Sequence, residues 1–449
     1  MPDILDALTV EQFGRRLRAG EVSAVDITNE CLRRIESDGA RLNAFIHVAA
    51  DEARRQAAEA DRDLAAGRDR GPLHGVPVSI KDLVDVRGIP TTAASRVREG
   101  HVAASDAPIV QRLRQAGAIL IGKTNLDEFA FGTMSRDSAF GPVRNPHDPG
   151  RSPGGSSGGS AVSVAAGMAL ASIGTDTGGS IRIPAAASGI VGLKPGYGEV
   201  PIDGVVPLSR TLDHVGPFTR SVGDGWLMYR ALLGAPASPP LVPRPPRGMR
   251  LGLPTAYFLD LLDVDVRARF EEAVGLLRDA GVRVEDVEVP RASLAPAVYM
   301  HIHAPEGAAY HETMLDAVPE RYTPTVRLRL EMGRYILASD YLRALNAREV
   351  LRREVDAALA GRDALVLPTL PIPAPPIGAE TVAINGSDEP VRALMLRNTQ
   401  LFNLSGHPAI SMPCGVTPAG LPCGLQLVGR RNQTDALLAV ALACEASLC

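Results

Sequence analysis

The chain has 449 residues, 45% of them apolar and 22% charged, with 47 basic and 51 acidic residues for a formal net charge of −4. That balance excludes a disordered, collagen-like or coiled-coil chain. The basic residues form no block suited to a phosphate backbone, so neither a nucleic-acid nor a membrane-surface partner is expected. Aromatic residues make up only 4%, so the core has to be aliphatic. Residues 1–20 lack the charged-then-apolar order of a signal sequence, and no apolar run reaches membrane length. The five cysteines (Cys31, Cys414, Cys423, Cys444 and Cys449) show no CxxC spacing. They read as reduced thiols in a cytoplasmic protein. Cys414 and Cys423 flank an expected turn and are the one pair placed to bridge; free thiols are the expectation.

The first part of the chain reads as helices. Thr9 with Gln12, and Ser23 with Asp26, form capping-box patterns ahead of periodic apolar residues. Residues 51–66 make a polar, Ala-rich helix ended by Gly67. Short apolar runs at 75–81 and 118–121 then read as strands, with a helix over 105–116 between them and Ser105 as its N-cap. Alternating strands and helices indicate an α/β sheet. Residues 145–160 are saturated with Gly, Pro and Ser. A small-residue helix over 161–171 follows, so the block reads as close backbone packing and not as a tether. The Pro-rich stretch 235–248 is the one linker candidate. Beyond it, 249–253, 266–280 and 282–289 read strand, helix, strand. Residues 293–362 are mostly helical, strands return at 364–367 and 424–428, and a final Ala/Leu helix closes the chain.

Several familiar patterns fail on their context. Residues 117–124, GAILIGKT, fit the P-loop spacing, but the residues between the glycines are the strand itself and cannot wrap a phosphate. Residues 154–158, GGSSG, fit the nucleophile elbow of α/β-hydrolases, but no strand precedes them and His407 is the sole late histidine. His301 and His303, with Glu306 and His311 nearby, invite a metal reading. In a helical stretch the first two diverge, so histidines lining a funnel are expected instead, and no metal. Trp226 reads as core.

What remains is Lys81 at the end of VPVSIK, Ser156 inside GGSSGGS, and Ser180 at the end of GTDTGGS. A Gly-Gly turn exposes amides to an oxyanion, and a serine at its end is placed to be a nucleophile. Jointly these residues resemble the amidase signature family of serine amidohydrolases. The likeness runs through ordered blocks: GPLHGVPVSIKD (71–82), IGKTNLDEFAFG (121–132), the Gly/Ser block of 150–195, PLSRTLDHVGPFTRSVGD (207–224) and FNLSGHPAISMPCG (402–415). It implies a fold in which a large mixed β-sheet is covered on both faces by helices, as one amidase domain over residues 1–449 with 235–248 as a surface segment. It also implies a Ser–cis-Ser–Lys triad: Ser180 as nucleophile, Ser156 after a cis peptide bond as proton bridge, and Lys81 as base. Thr177, Gly178, Gly179 and Ser180 would form the oxyanion hole, and Phe131, Gly132, Thr133 and Met134 the acyl pocket. No cofactor is expected.

The resemblance implies a small-molecule amide substrate and an acyl-enzyme route to a carboxylic acid and ammonia or an amine. Aryl amides and carbamates (urethanes) fall within the same chemistry. A homodimer is one arrangement left open. A second reading is the glutamine-hydrolysing component of a tRNA-dependent amidotransferase. There Arg348 would hold glutamine with an Asp near the C-terminus, where Gln433 stands in this sequence and Asp435 lies two residues on. A non-catalytic assembly component that keeps the fold is a third; intact Lys81, Ser156 and Ser180 argue against it. Specificity is expected in 129–135 and 295–340.

Overall fold

The structure is a computed structural model that describes residues 8–448. Cys449, one of the five thiols, lies outside the described residues. The strands in chain order are β1 (Phe45–Val48), β2 (Pro77–Lys81), β3 (Ile119–Thr124), β4 (Ala171–Asp176), β5 (Val191–Lys194), β6 (His214–Thr219), β7 (Arg250–Pro254), β8 (Arg283–Val287), β9 (Ala364–Pro368), β10 (Thr381–Ile384), β11 (Ser387–Pro390), β12 (Ala409–Val416) and β13 (Pro422–Val428). Eleven of them form one sheet in the order β1-β3-β2-β4-β6-β5-β12-β13-β9-β7-β8; β10 and β11 pair apart as a hairpin. The sheet is mixed: β2 runs parallel to both β3 and β4, and β7 to β8 and β9, while β4, β6, β5, β12 and β13 pair antiparallel. The α/β architecture with a large mixed sheet is as expected.

Local sequence explains much of this. Both capping boxes form: Gln12 N–H donates to Thr9 Oγ1 at 3.1 Å and Asp26 N–H to Ser23 Oγ at 3.0 Å, opening helices Val10–Arg18 and Ala24–Leu42. The strand–helix–strand reading after residue 248 holds as β7, helix Val264–Asp279 and β8. Two expectations fail at their edges. The helix expected at 105–116 starts at Pro108 with Ala107 as its cap, and Ser105 makes no cap bond. A proline at the first helical position sets φ there, which overrides the serine signal. The helix expected over 161–171 is Gly158–Ala165, and Ala171 already opens β4.

Gly158–Ala165 lies against β2, β3 and β4 because its residues are small. A Cβ on Gly159 would run into the carbonyl oxygens of Asn125 and Ala44. Below it, Ser79 Oγ on β2 meets Ser163 Oγ at 2.8 Å and Ser172 Oγ on β4 at 2.7 Å. These contacts hold β2 and β4 side by side, with Ile80 opposite Ile173. The same parallel register brings Lys81 and Asp176, the last residues of the two strands, to the same end of the sheet. The segment 235–248 crosses the surface without regular structure, pinned where Arg244 N–H donates to Ala439 O at 2.9 Å.

Candidate active site

Lys81 is fully buried at the end of β2. Its Nζ lies 2.8 Å from Ser156 Oγ and 2.7 Å from Thr175 Oγ1 on β4. Among the described residues no carboxylate pairs with it. The acids beside it in sequence or space are held elsewhere: Asp82 pairs with Lys123 at 2.7 Å, and Asp176 with Arg182 at 2.9 Å. The chain has only three lysines, and each is buried with different partners. Lys123 has its carboxylate, and Lys194 donates to the His407 and Pro195 carbonyls. Lys123 also reaches the Thr91 hydroxyl at 3.1 Å, but among the described residues Lys81 alone has hydroxyls as its only partners. Burial pushes its pKa down to about 7, against the opposing pull of Asp127, Asp176 and Asp213. A substantial share of this amine is therefore neutral at physiological pH.

Ser156 follows a cis peptide bond from Gly155. Asp127 buttresses that peptide from below. Its N–H donates to Ser156 O at 3.1 Å, and its carboxylate accepts the N–H groups of Met134, Ser135, Arg136 and Asp137. A Cβ on Gly155 would strike Asp127 Oδ2. Burial is the larger effect on Asp127, and its pKa is pushed up to about 6.

Ser180 ends the turn that follows β4. Its hydroxyl has no hydrogen-bond partner among the described residues, and the N–H groups of Thr177, Gly178, Gly179 and Ser180 are likewise unclaimed. The turn is braced from all sides. Asp176 accepts the Ile181 N–H at 3.1 Å, the Asn403 amide at 2.7 Å and two Arg182 bonds. Thr177 Oγ1 donates to Asp213 Oδ1 at 2.6 Å, and Thr399 Oγ1 donates to Gly178 O at 2.6 Å. Gly179 has φ +142°, and a side chain there would meet Thr399. Only glycine fits that geometry.

Ser180 lines a narrow crevice with Phe131, Gly132 and Thr133, roofed by Tyr299, His303 and Arg392. The crevice shares Phe131, Tyr299, His303, Arg392 and Leu396 with a cavity of about 610 Å³. Met134 is absent from this lining; its side chain packs in the core with Ile183 and Leu212, while its carbonyl accepts from Ser152. The rejected motifs stay rejected on geometry. Residues 119–124 are strand β3. Among the described residues no strand leads into Ser156, whose hydroxyl meets Lys81 and no histidine; His407 pairs with Asp356 at 3.1 Å. His303 stacks on Tyr299 at 4.2 Å between centroids, and His311 bonds the Tyr322 hydroxyl at 3.0 Å. Burial holds both histidines down at about 3, so they are neutral. Glu306 is bound by Ser209 and Thr211. Among the described residues no three His, Cys, Asp or Glu side chains gather as a metal site. Trp226 is buried, with Nε1–H donating to Asp435 at 3.1 Å. Cys31, Cys414, Cys423 and Cys444 are free thiols. No described helix is long and apolar enough to cross a membrane.

Thr175, Asp127 and Tyr299 carry no individual signal in the sequence, whereas His303, expected as a funnel-lining histidine, does line the crevice. Register alone does not reveal Thr175: with Ile80 opposite Ile173, Lys81 falls beside Gly174, and the contact with Thr175 is made where the two strands end.

The family model described as Amidase matches residues 26–438. An amidase of Pseudomonas putida is 42% identical over 98% of this chain and 96% of its own length. A glutamyl-tRNA(Gln) amidotransferase component of Roseiflexus sp. (strain RS-1) is 39% identical over 97% of this chain and 96% of its own. A crystal structure of an amidase superposes with a TM-score of 0.93 at 39% identity, covering 98% of this chain and 99% of that one. With the Gly/Ser turns, the buried lysine and the mixed sheet already in place, these likenesses mean that the chain belongs to the amidase family of amide-hydrolysing enzymes.

Proposed function

We propose that this chain is a free-standing serine amidase that cleaves carboxamide C–N bonds through an acyl-enzyme on Ser180. The observation that carries the reading is a fully buried lysine whose only hydrogen-bond partners among the described residues are two hydroxyls. Ser180 Oγ attacks the carbonyl carbon. Its proton passes by way of Ser156 Oγ to the lone pair of neutral Lys81, and the unclaimed N–H groups of 177–180 receive the oxyanion. Collapse of the tetrahedral intermediate breaks the C–N bond, and the proton returns through Ser156 to the departing nitrogen. Water then repeats the sequence on the acyl-Ser180 ester and releases the acid. Phe131, Gly132 and Thr133 flank the acyl group. One sheet takes strands from 45 to 428, which supports reading residues 1–449 as a single catalytic domain.

The apolar cavity beside the crevice favours amides with bulky or aryl substituents over acetamide or glutamine. Arg348 and Asp435 support the same choice: Arg348 donates to Thr211, and Asp435 is bound by Arg230 and Trp226. Carbamates share the planar acyl–nitrogen group, and aryl urethanes belong in the same assay. A panel of acetamide, glutamine, an anilide and an aryl carbamate tests the reading. Ser180→Ala should lose activity by about a thousandfold or more on the best of them, and Ser156→Ala by about a hundredfold or more. Near wild-type turnover in a folded Ser180→Ala variant rejects the mechanism. A best rate on glutamine moves the assignment to the amidotransferase component.

A further inference from the structure

Four charged side chains border the cavity beside Ser180: Arg329, Arg392, Arg397 and Glu389. Two of them are engaged. Arg397 lies 4.0 Å over the Tyr257 ring and donates to the Tyr257 carbonyl at 2.6 Å. Glu389 accepts from Ser387 Oγ at 3.0 Å and pairs with no arginine. Arg329 gives one N–H to the Phe131 carbonyl, and the rest of its fork is open. Arg392 has no hydrogen bond and no ion pair among the described residues, yet it is only half exposed and borders both the cavity and the crevice of Ser180. The two guanidinium groups feel one another: burial first, and Arg392 second, push Arg329 down to about 10, which still leaves it charged at neutral pH. The other walls include Leu328, Met332 and Ile336. Two like charges bordering one largely apolar space repel and are only partly solvated, a state that an anion relieves. The planar forks match a carboxylate in shape.

Resting on the amidase reading, we propose that the substrate is an acidic amide, whose carboxylate lies between Arg329 and Arg392 while the apolar walls hold the chain that joins it to the scissile carbonyl. Arg392 is the principal determinant, since it reaches both spaces and has no other partner.

The test compares matched substrates: monoanilides of succinic, glutaric, adipic and terephthalic acids against their methyl esters. For the best chain length the acid should exceed its ester in kcat/KM by about tenfold or more, the size of a charge-assisted contact. That ratio should collapse towards one in Arg392→Met and shrink in Arg329→Met. Because the ratio is taken within each variant, a general loss of activity or folding cancels. Titration calorimetry of the same pairs into Ser180→Ala reads the preference without turnover. Acid-selective binding with no cleavage of either twin by the wild type would sink the amidase reading and leave this inference standing. Cleavage of esters as fast as acids at every chain length, or an acid preference that survives Arg392→Met, overturns the inference alone.

Discussion

At the scale of single residues the site turns on one proton of Lys81. In the proposed mechanism an ammonium there could not accept the Ser156 proton, and among the described residues no carboxylate pairs with the amine directly. With its pKa pushed down to about 7, kcat/KM should rise through a single ionisation near pH 7 and level off on the alkaline side. Lys81→Met should be nearly inactive, and Lys81→Arg no better, because a guanidinium stays protonated. A Lys81→Arg variant that keeps a large part of the activity would point to a charge-pairing lysine. The same shift has a stability consequence. Between about pH 7 and the unfolded value of 10.5 the unfolded chain holds a proton that the folded one has released. Folding stability gains from this residue as pH rises across that window, and its full penalty applies below it. Lys81→Met should therefore stabilise the protein more at pH 6 than at pH 10. With only three lysines in the chain, 15N-lysine NMR can follow each amine by itself, and the resonance lost in Lys81→Met should titrate near 7.

At the scale of elements, the turn between β4 and helix Arg182–Ser188 has to keep its amides aimed at one point, and it does so through a carboxylate. Asp176 bonds the Ile181 N–H behind Ser180 and takes Arg182, with both side chains fully buried. Arg182 holds Asp176 far below the usual carboxylate range, with Lys194 and Asn403 assisting. Arg182 also reaches Thr399 O, Gln426 and Asn403, so the turn is tied to the far side of the sheet. Removing one partner of such a pair leaves an uncompensated buried charge and costs about 3–5 kcal/mol. Arg182→Met should lower the unfolding free energy measured by urea titration by about that much and reduce activity with it; a loss under about 1 kcal/mol would mean that Asp176 is satisfied without its partner. Here the limits of sequence reading also show. GTDTGGSIRIP displays the turn, the proposed nucleophile and the arginine in one string, and the capping boxes at Thr9 and Ser23 need only three residues of spacing. β4 and β6 escape a local reading because ASIGTD and HVGPFT carry Gly, Pro, Asp and Ser, residues that ordinarily argue against a central strand. They pair across Gly174 and Gly216, where a Cβ on Gly174 would meet Phe218 and one on Gly216 would strike Leu193 O. Tertiary crowding, invisible locally, decides those strands. Met134 shows the converse: its neighbours Gly132 and Thr133 line the crevice, but the Asp127 bond to its amide belongs to a bend that turns its side chain into the core.

At the scale of the whole molecule, chemistry and selectivity are built from different parts of the fold. The lysine, the proposed bridging serine and the turn of Ser180 come from β2, β4 and the Gly/Ser block, all before residue 181 and gathered at the C-terminal ends of these two neighbouring inner strands. The cavity walls come mostly from helices Ala295–Ala317, Pro324–Gly333 and Val391–Arg397. Those helices present Met300, Leu328 and Met332 to the cavity, with 45%, 58% and 55% of their surface exposed. Side chains of that kind fix which substrate fits but do not reach Lys81, whose environment is set by burial against β4. The two functions should therefore separate by mutation. Met300→Ala, Leu328→Ala and Met332→Ala remove apolar wall, and each methylene-sized change in such a contact shifts discrimination by about 1–3 kcal/mol. Ratios of kcat/KM between a bulky anilide and acetamide should fall in these variants. The apparent ionisation in kcat/KM should stay near 7 in all of them, since none alters the burial of the amine. A variant in this set that moved the ionisation by a full unit would show that the helices form part of the low-dielectric shell around Lys81, and that the substrate cavity and the catalytic amine are one electrostatic unit.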